Sequence, residues 1–313
     1  MKITISKIIL ILFVIVLITA CRGYYLKKRN RDNIENMLIE SFDNMGNTSV
    51  KEHYTNIYDG FYSKIYDELF NSKLKNEYEI INIKRYTIDK YPDKKNIHVL
   101  DAGCGTGNHI KILDRYKFKC TGVDSSMKML NKARITNPGI ELIKGDFHNK
   151  KIFKKRKFSH ITCLFYTIYY SDNPNKVFRN FNYWLKPKGF LIVHLVNPQK
   201  FDPILEKSSK LIPLFNPQKH AHKRQTRTSL HFNNFKYIAD WQFSNNDVTF
   251  VENFLFKGKS DSRRNIHKFK MYDANKYIKI AQKNGFKLIK VIDLTPVNHE
   301  FNNIYMFKKI YGS

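Results

Sequence analysis

The run His98-Val99-Leu100-Asp101-Ala102-Gly103-Cys104-Gly105-Thr106-Gly107-Asn108-His109 constrains this chain more than any other feature. Three of only 13 glycines in 313 residues fall within five positions, directly after a short apolar run. A buried strand ending in such a loop lets the backbone approach a ligand closely, and the helix that follows presents free N–H groups at its start. Apolar runs of strand length recur at 97–102, 120–123, 140–143, 158–165 and 190–196, separated by stretches of helical spacing. Strands alternating with helices require right-handed crossovers and a mainly parallel sheet.

Around that core, residues 50–91 carry apolar side chains at three- and four-residue spacings, which predicts two helices ahead of the sheet. Between 198 and 270 the order is lost and strand-like pieces appear at 237–243 and 248–256. A helix at 274–284 and strands at 286–294 and 303–309 follow. The expected fold class is α/β: a doubly wound, mostly parallel seven-stranded sheet with helices on both faces, an N-terminal transmembrane helix and a late β-rich insertion. The expected division is an anchor (1–26), a juxtamembrane linker (27–49, with a short helix at 34–42) and one domain (50–313). Within that domain fall N-terminal helices (50–91), a core carrying the glycine loop (92–197), an insertion (198–270) and a C-terminal helix and strands (271–313).

From Ile8 to Ala20 only Thr19 interrupts the apolar run, near the ~20 residues a spanning helix needs. Lys2 and Lys7 precede it, while Arg22, Lys27, Lys28, Arg29 and Arg31 follow, with Tyr24 and Tyr25 placed as an interfacial belt. A cleaved signal peptide is the competing reading, and Ile18-Thr19-Ala20-Cys21 resembles a lipoprotein cleavage box. The basic cluster favours an uncleaved single-pass anchor with the domain facing the cytosol. Cys21, Cys104, Cys120 and Cys163 show no paired spacing, which suits a reducing compartment.

A dinucleotide fold wants G-x-G-x-x-G, whereas Gly107 is followed here by Asn108, which disfavours an NAD-linked oxidoreductase. Val99 to Gly107 instead resembles the first motif of the class I S-adenosylmethionine methyltransferases, whose glycine loop wraps the methionyl part of the cofactor. Next comes Gly122-Val123-Asp124-Ser125-Ser126-Met127, with an acidic residue ending a strand about twenty positions on. Asp124 is thereby placed to accept both ribose hydroxyls; without the glycine loop it would be read as a helix N-cap. In the family, the Asp matching Asp146 contacts the adenine amino group and its neighbour, here Phe147, packs on the ring. The resemblance covers roughly 54–196 and returns over 272–309. It implies S-adenosyl-L-methionine as cofactor, held by Asp101, Gly103, Cys104, Gly105, Gly107, Asp124, Ser125, Met127, Asp146, Phe147 and Leu164.

Methyl transfer from a sulfonium is an in-line displacement, so alignment matters more than any obligatory side chain. No catalytic residue stands out; Tyr166 and Tyr169 are the weak candidates, with Tyr170 a further pocket residue. Leu164-Phe165-Tyr166-Thr167 lacks the Asn/Asp-Pro-Pro-aromatic motif of enzymes that methylate base amines. His194, inside an apolar strand, reads as a core histidine. His220-Ala221-His222-Lys223-Arg224 lacks partners at ligand spacing, so no metal is expected. The insertion at 198–270 stands where small-molecule methyltransferases of this class carry an acceptor lid, so the resemblance implies a cofactor-binding core at 92–197 and makes Trp241, Phe243 and Phe250 candidates to cover an acceptor pocket.

The net charge of +28 and pI near 9.8 admit nucleic acid or anionic lipid as partners. The lysines are spread over the whole chain, however, which gives attraction without readout. A small-molecule acceptor is therefore the favoured partner, with nucleic acid second. The rival function is a catalytically inactive, basic methyltransferase-like scaffold that binds RNA or anionic lipid.

Overall fold

The computed structural model of the chain describes residues 12–25, 29, 49–203, 223–258 and 262–310. Helix α1 covers residues 12–25. Strand β1 (Ser49–Lys51) leads into α2 (Tyr54–Ile57), α3 (Gly60–Phe70) and α4 (Lys73–Tyr86). Three helices thus stand where two were expected. The break falls at Asp59, whose side chain accepts the Tyr62 N–H and caps α3, while Ser72 does the same for α4 through Lys75. The buried positions Phe61, Tyr62, Ile65 and Leu69 place one face of α3 against the core.

The central sheet comprises β2 (His98–Ala102), β3 (Lys119–Asp124), β4 (Glu141–Lys144), β5 (Phe158–Cys163), β6 (Leu185–Val196), β11 (Phe286–Asp293) and β12 (Asn302–Lys309). Its order is β11-β12-β6-β5-β2-β3-β4. All neighbouring pairs are parallel except those of β12, which runs against both β11 and β6. Helices α5 (Asn108–Arg115), α6 (Met127–Thr136), α7 (Pro174–Trp184) and α8 (Ala274–Lys283) connect the strands. The chain moves outward from β2 to β3 and β4, then returns to the other side of β2 for β5. That reversal opens a crevice at the carboxyl ends of β2 and β5, where ligands of open α/β sheets bind. Strand β6 starts five residues earlier than its apolar run, because Leu185 pairs with Phe158 before a register shift.

A second sheet, of order β1-β10-β9-β8-β7, is built from β7 (Arg227–His231), β8 (Phe235–Ser244), β9 (Asp247–Phe256) and β10 (Ser262–Lys270) together with β1. Strands β8 and β9 lie where strand-like pieces were expected, joined by a two-residue turn at Asn245-Asn246 in which Asn245 takes φ 52. Strand β10 was not foreseen, for a physical reason. Its buried positions are Arg263, Asn265, His267 and Phe269, so its inward face is largely polar and shows no apolar alternation. Arg263 is wholly buried, its guanidinium held by Asp59 at 2.8 Å, Asn265 at 2.8 Å and the Ile57 carbonyl at 2.8 Å. This pins the second sheet to the N-terminal helices.

The transmembrane helix finds no support in the described residues, among which no helix is long and apolar enough to cross a membrane. Helix α1 supplies 14 residues (12 through 25), while residues 1–11 of the run lie outside the described residues. The large apolar side chains from Leu12 to Ile18 are 43% to 64% exposed, so this stretch packs on no part of the domain. The linker and its expected short helix, apart from Arg29 and Ser49, also lie outside the described residues, as do His220, Ala221 and His222.

Candidate cofactor and acceptor site

The glycine loop leaves β2 at the crevice and folds back on itself. Gly103 and Gly107 adopt φ 75 and 81. A Cβ on Gly103 would stand 2.3 Å from Thr167 Cγ2, and one on Gly107 2.5 Å from Asn137 Nδ2, so neither position admits a side chain. The amides of Gly103 and Cys104 both donate to the Val123 carbonyl, at 2.8 and 3.1 Å, which fastens the loop to β3. Asp67 of α3 accepts from the Thr106 hydroxyl at 2.7 Å and the Asn108 amide at 2.8 Å, tying the loop to the N-terminal helices.

Asp124 ends β3 facing that loop. One carboxylate oxygen accepts the Gly105 N–H at 2.9 Å and the other the Ser126 N–H at 2.8 Å. Burial pushes its carboxyl up to about 6, against those two amides, which favour the ionised form. Two oxygens offer about four lone-pair directions, so acceptor capacity remains after both amides are served. Ser126 rather than Asp124 caps α6, through Met129 N, and its hydroxyl also donates to the Tyr58 carbonyl. Asp146 is held below the usual carboxylate range, first by the His148 side chain at 2.7 Å, and also accepts from the His148 N–H and the Tyr54 hydroxyl.

Of the residues expected from sequence, Gly103, Gly105, Asp124, Ser125, Asp146 and Phe147 line one cavity of about 620 Å³, together with Tyr54, Tyr58, Tyr66, Thr167 and Tyr170. Asp101, Cys104 and Leu164 line an adjoining cavity of about 510 Å³, which Gly103 and Gly105 also border. Burial raises the Asp101 carboxyl; Oδ1 accepts from Thr162 at 2.8 Å, and the buried Oδ2 has no hydrogen-bond partner among the described residues. Gly107 and Met127 line neither cavity. Gly107 is the N-cap of α5, and Met127, at the first position of α6, is 41% exposed.

Tyr166 lines a third cavity, of about 410 Å³, that shares Tyr58, Tyr66, Thr167 and Tyr170 with the first. Tyr169 lines none of these three: it is fully buried, and its hydroxyl accepts the Val196 N–H at 2.7 Å. His194 is a core residue stacked on Tyr166, and burial pushes its imidazole down to about 3, a poor proton acceptor at neutral pH. Trp241 and Phe250 line the third cavity, while Phe243 stacks behind Trp241.

Sequence reasoning missed His267, Phe269 and Tyr62 in that wall, and Tyr54, Tyr58 and Tyr66 around the first cavity. The tyrosines are ordinary amphipathic helix residues by spacing, and the β10 residues sit in a strand without an apolar signal. Among the described residues no group of three or more His, Cys, Asp or Glu side chains is placed to hold a metal.

A family model described as a methyltransferase domain matches residues 99–189. The demethylmenaquinone methyltransferase of Thermotoga maritima is 39% identical over 97 residues, 30% of this chain and 42% of that protein. The dTDP-3-amino-3,6-dideoxy-alpha-D-glucopyranose N,N-dimethyltransferase of Streptomyces fradiae is 31% identical over 111 residues, 36% of this chain and 42% of that protein. The chain spans about half the length of the curated relatives it matches. Among solved structures, the amino pentose methyltransferase of Micromonospora echinaspora, with its S-adenosylmethionine bound, shares the fold at TM-score 0.56 and 16% identity. That match covers 82% of this chain and all of the other. Residues 99–189 thus carry a methyltransferase domain, and the strand order around its glycine loop gives the chain the fold of the S-adenosylmethionine-dependent methyltransferases.

Proposed function

We propose that this chain transfers the methyl group of S-adenosylmethionine to a small-molecule acceptor. The observation that carries the reading is one cavity at the sheet's reversal point that gathers Gly103, Gly105, Asp124 and Asp146. The residues fit the cofactor. Gly103 provides a wall without a Cβ, Asp124 has acceptor capacity left for two ribose hydroxyls, and Asp146 with Phe147 suits the adenine edge and face. The unpartnered Asp101 Oδ2 suits the methionyl amino group, with Cys104 and Leu164 beside it. When bound, the cofactor supplies a methyl group on a sulfonium, and the task left to this chain is to align an acceptor with it. The shared wall of Thr167, Tyr58 and Tyr170 joins the cofactor cavity to the third cavity, which supports the latter as the acceptor's side. The activities in the names of the Streptomyces and Micromonospora proteins support a small molecule rather than a nucleic acid as acceptor.

Calorimetric titration with S-adenosylhomocysteine should show saturable binding, and NAD none. Because the Asp124 carboxyl sits at about 6 and must be ionised to accept both hydroxyls, affinity should be flat above that pH and fall about tenfold per unit below it. Asp146, held low, adds no loss in that range, whereas Asp101, which burial raises, steepens the fall once it too is protonated. Absence of homocysteine-adduct binding by the folded chain would refute the reading.

We further propose that the 8–20 run tethers the domain to a membrane in a single pass, facing the cytosol. The basic cluster behind the run and the exposed apolar side chains of α1 support this. The full chain should stay with membranes through alkaline carbonate washing, and a chain starting at Thr48 should not; release of both would end the proposal.

A further inference from the structure

The third cavity is walled by rings: Tyr58, Tyr66 and Tyr170 on the side it shares with the cofactor cavity, and Trp241, Phe250 and Phe269 on the second sheet. Trp241 stacks on Phe250 with centroids 4.4 Å apart and on Phe269 at 5.7 Å. The face of an aromatic ring is the negative part of its quadrupole, and it attracts a cation within about 6 Å of its centroid.

The charge of this wall departs from the rest of a chain carrying +28. Among the described residues, no lysine or arginine lines the cavity. Lys75, whose ammonium stands 5.2 Å from the Phe165 centroid, is already paired with Glu79 at 3.1 Å. Behind the rings lies Glu252, wholly buried, which accepts from His267 Nε2 at 2.7 Å, the Tyr237 hydroxyl at 2.7 Å and the Asn265 amide at 2.9 Å. Burial works to raise that carboxyl, but His267, Asn265 and Tyr237 outweigh it and hold it below the usual range, so the charge is kept. In a low-dielectric wall such a charge reaches further than in water.

The bonds running from Glu252 towards the cavity have a direction. An ionised carboxylate only accepts, so His267 donates through Nε2, and in the neutral imidazole Nδ1 then accepts. It accepts the Tyr170 hydroxyl at 2.6 Å, and Tyr170 in turn accepts the Tyr58 hydroxyl at 2.9 Å. Each phenol spends its single proton in the direction of Glu252. Tyr58, which borders both cavities, is left with oxygen lone pairs to offer.

Ring faces, a retained negative charge and accepting oxygens suit a cation that carries N–H groups. We infer that the third cavity is the acceptor subsite and takes an amine in its ammonium form, held by Trp241, Phe250 and Phe269 and by the Tyr58–Tyr170–His267–Glu252 chain. The inference rests on the methyl-transfer reading, which assigns the neighbouring cavity to the cofactor. An ammonium must lose one proton before its nitrogen can attack, and the chain takes it. The N–H proton passes to the Tyr58 oxygen, that of Tyr58 to Tyr170, and that of Tyr170 to His267 Nδ1, leaving an imidazolium against Glu252. The nitrogen lone pair then forms the N–CH3 bond as the C–S bond breaks and its electrons return to sulfur.

The test uses the full chain loaded with S-adenosylhomocysteine and two probes of similar shape, isopropylammonium and neutral isopropanol, with binding measured by calorimetry and placed by Trp241 emission. The ammonium should bind at least tenfold more tightly than the alcohol. Tyr58→Phe and Glu252→Gln should each weaken the ammonium at least threefold and leave the alcohol unchanged. With labelled S-adenosylmethionine, isopropylamine should become methylated, and Tyr170→Phe should lower that rate at least a hundredfold, far more than it lowers binding. Equal binding of the two probes, binding of neither, or no methylation of a bound amine would overturn the inference; an unchanged rate in Tyr170→Phe would overturn the proton route. Failure of the chain to bind S-adenosylhomocysteine at the outset would strike at the methyl-transfer reading instead.

Discussion

Asp124→Ala is expected to weaken S-adenosylhomocysteine binding by about two to four orders of magnitude. Hydrogen bonds to a charged partner contribute ~1.5–3 kcal/mol each, so losing two to the ribose removes about 3–6 kcal/mol, and each ~1.4 kcal/mol is tenfold. The carboxylate has a second task, because its oxygens also accept the Gly105 and Ser126 amides and so hold the glycine loop open. Alanine removes both functions at once. Asp124→Asn separates them: its oxygen still accepts one amide, while its NH2 group faces a donor and cannot accept a hydroxyl. Calorimetry on both variants, with thermal unfolding alongside, should show the alanine variant losing affinity and loop stability. The asparagine variant should lose affinity with the smaller stability cost. An alanine variant that binds the ligand with wild-type affinity would remove the ribose assignment and place the ligand elsewhere.

That prediction starts from residues legible in the sequence because their signal is local. Gly103, Gly105 and Asp124 are read from a strand end and a loop, and the backbone they require depends on few distant contacts. Asp101 and Asp146 were legible for the same reason. Met127, at the first position of the helix that Ser126 caps, is 41% exposed and lines neither cofactor cavity. Of the proposed acceptor side, Tyr166, Tyr170, Trp241 and Phe250 were named from the sequence, but Tyr58, Glu252 and His267 were not, because the wall is assembled from four separated segments. Tyr58 comes from the start of the domain, Tyr170 from the segment after β5, Trp241 and Glu252 from the hairpin β8–β9, and His267 from β10. Strand β10 in particular hides in the sequence, since a buried face of Arg263, Asn265 and His267 reads as a solvated basic stretch until Asp59 and Glu252 are brought against it. The parallel pairing of β1 with β10 spans more than two hundred residues and leaves no local pattern at all.

The same polar face makes Glu252 the most consequential single residue of the second sheet. Glu252→Ala should destabilise the domain by about 3–5 kcal/mol, since a buried donor left without its partner costs ~1–3 kcal/mol. It strands three donors in the core at once: His267 Nε2, the Asn265 amide and the Tyr237 hydroxyl. At roughly 2–4 °C per kcal/mol for a domain of this size, the transition should fall by about 6–20 °C. Glu252→Gln keeps the volume and one accepting oxygen, so its loss should be clearly smaller. A double change, Glu252→Leu with His267→Phe, removes charge and donor together and should recover part of the alanine loss, because the penalty lies in the unpaired groups rather than in the pair itself. The central sheet does not depend on this network, so S-adenosylhomocysteine should still bind the alanine variant below its transition. Denaturant unfolding of the three variants settles the point: if alanine, glutamine and the double change unfold alike, the network contributes little and the second sheet is held by its aromatic packing.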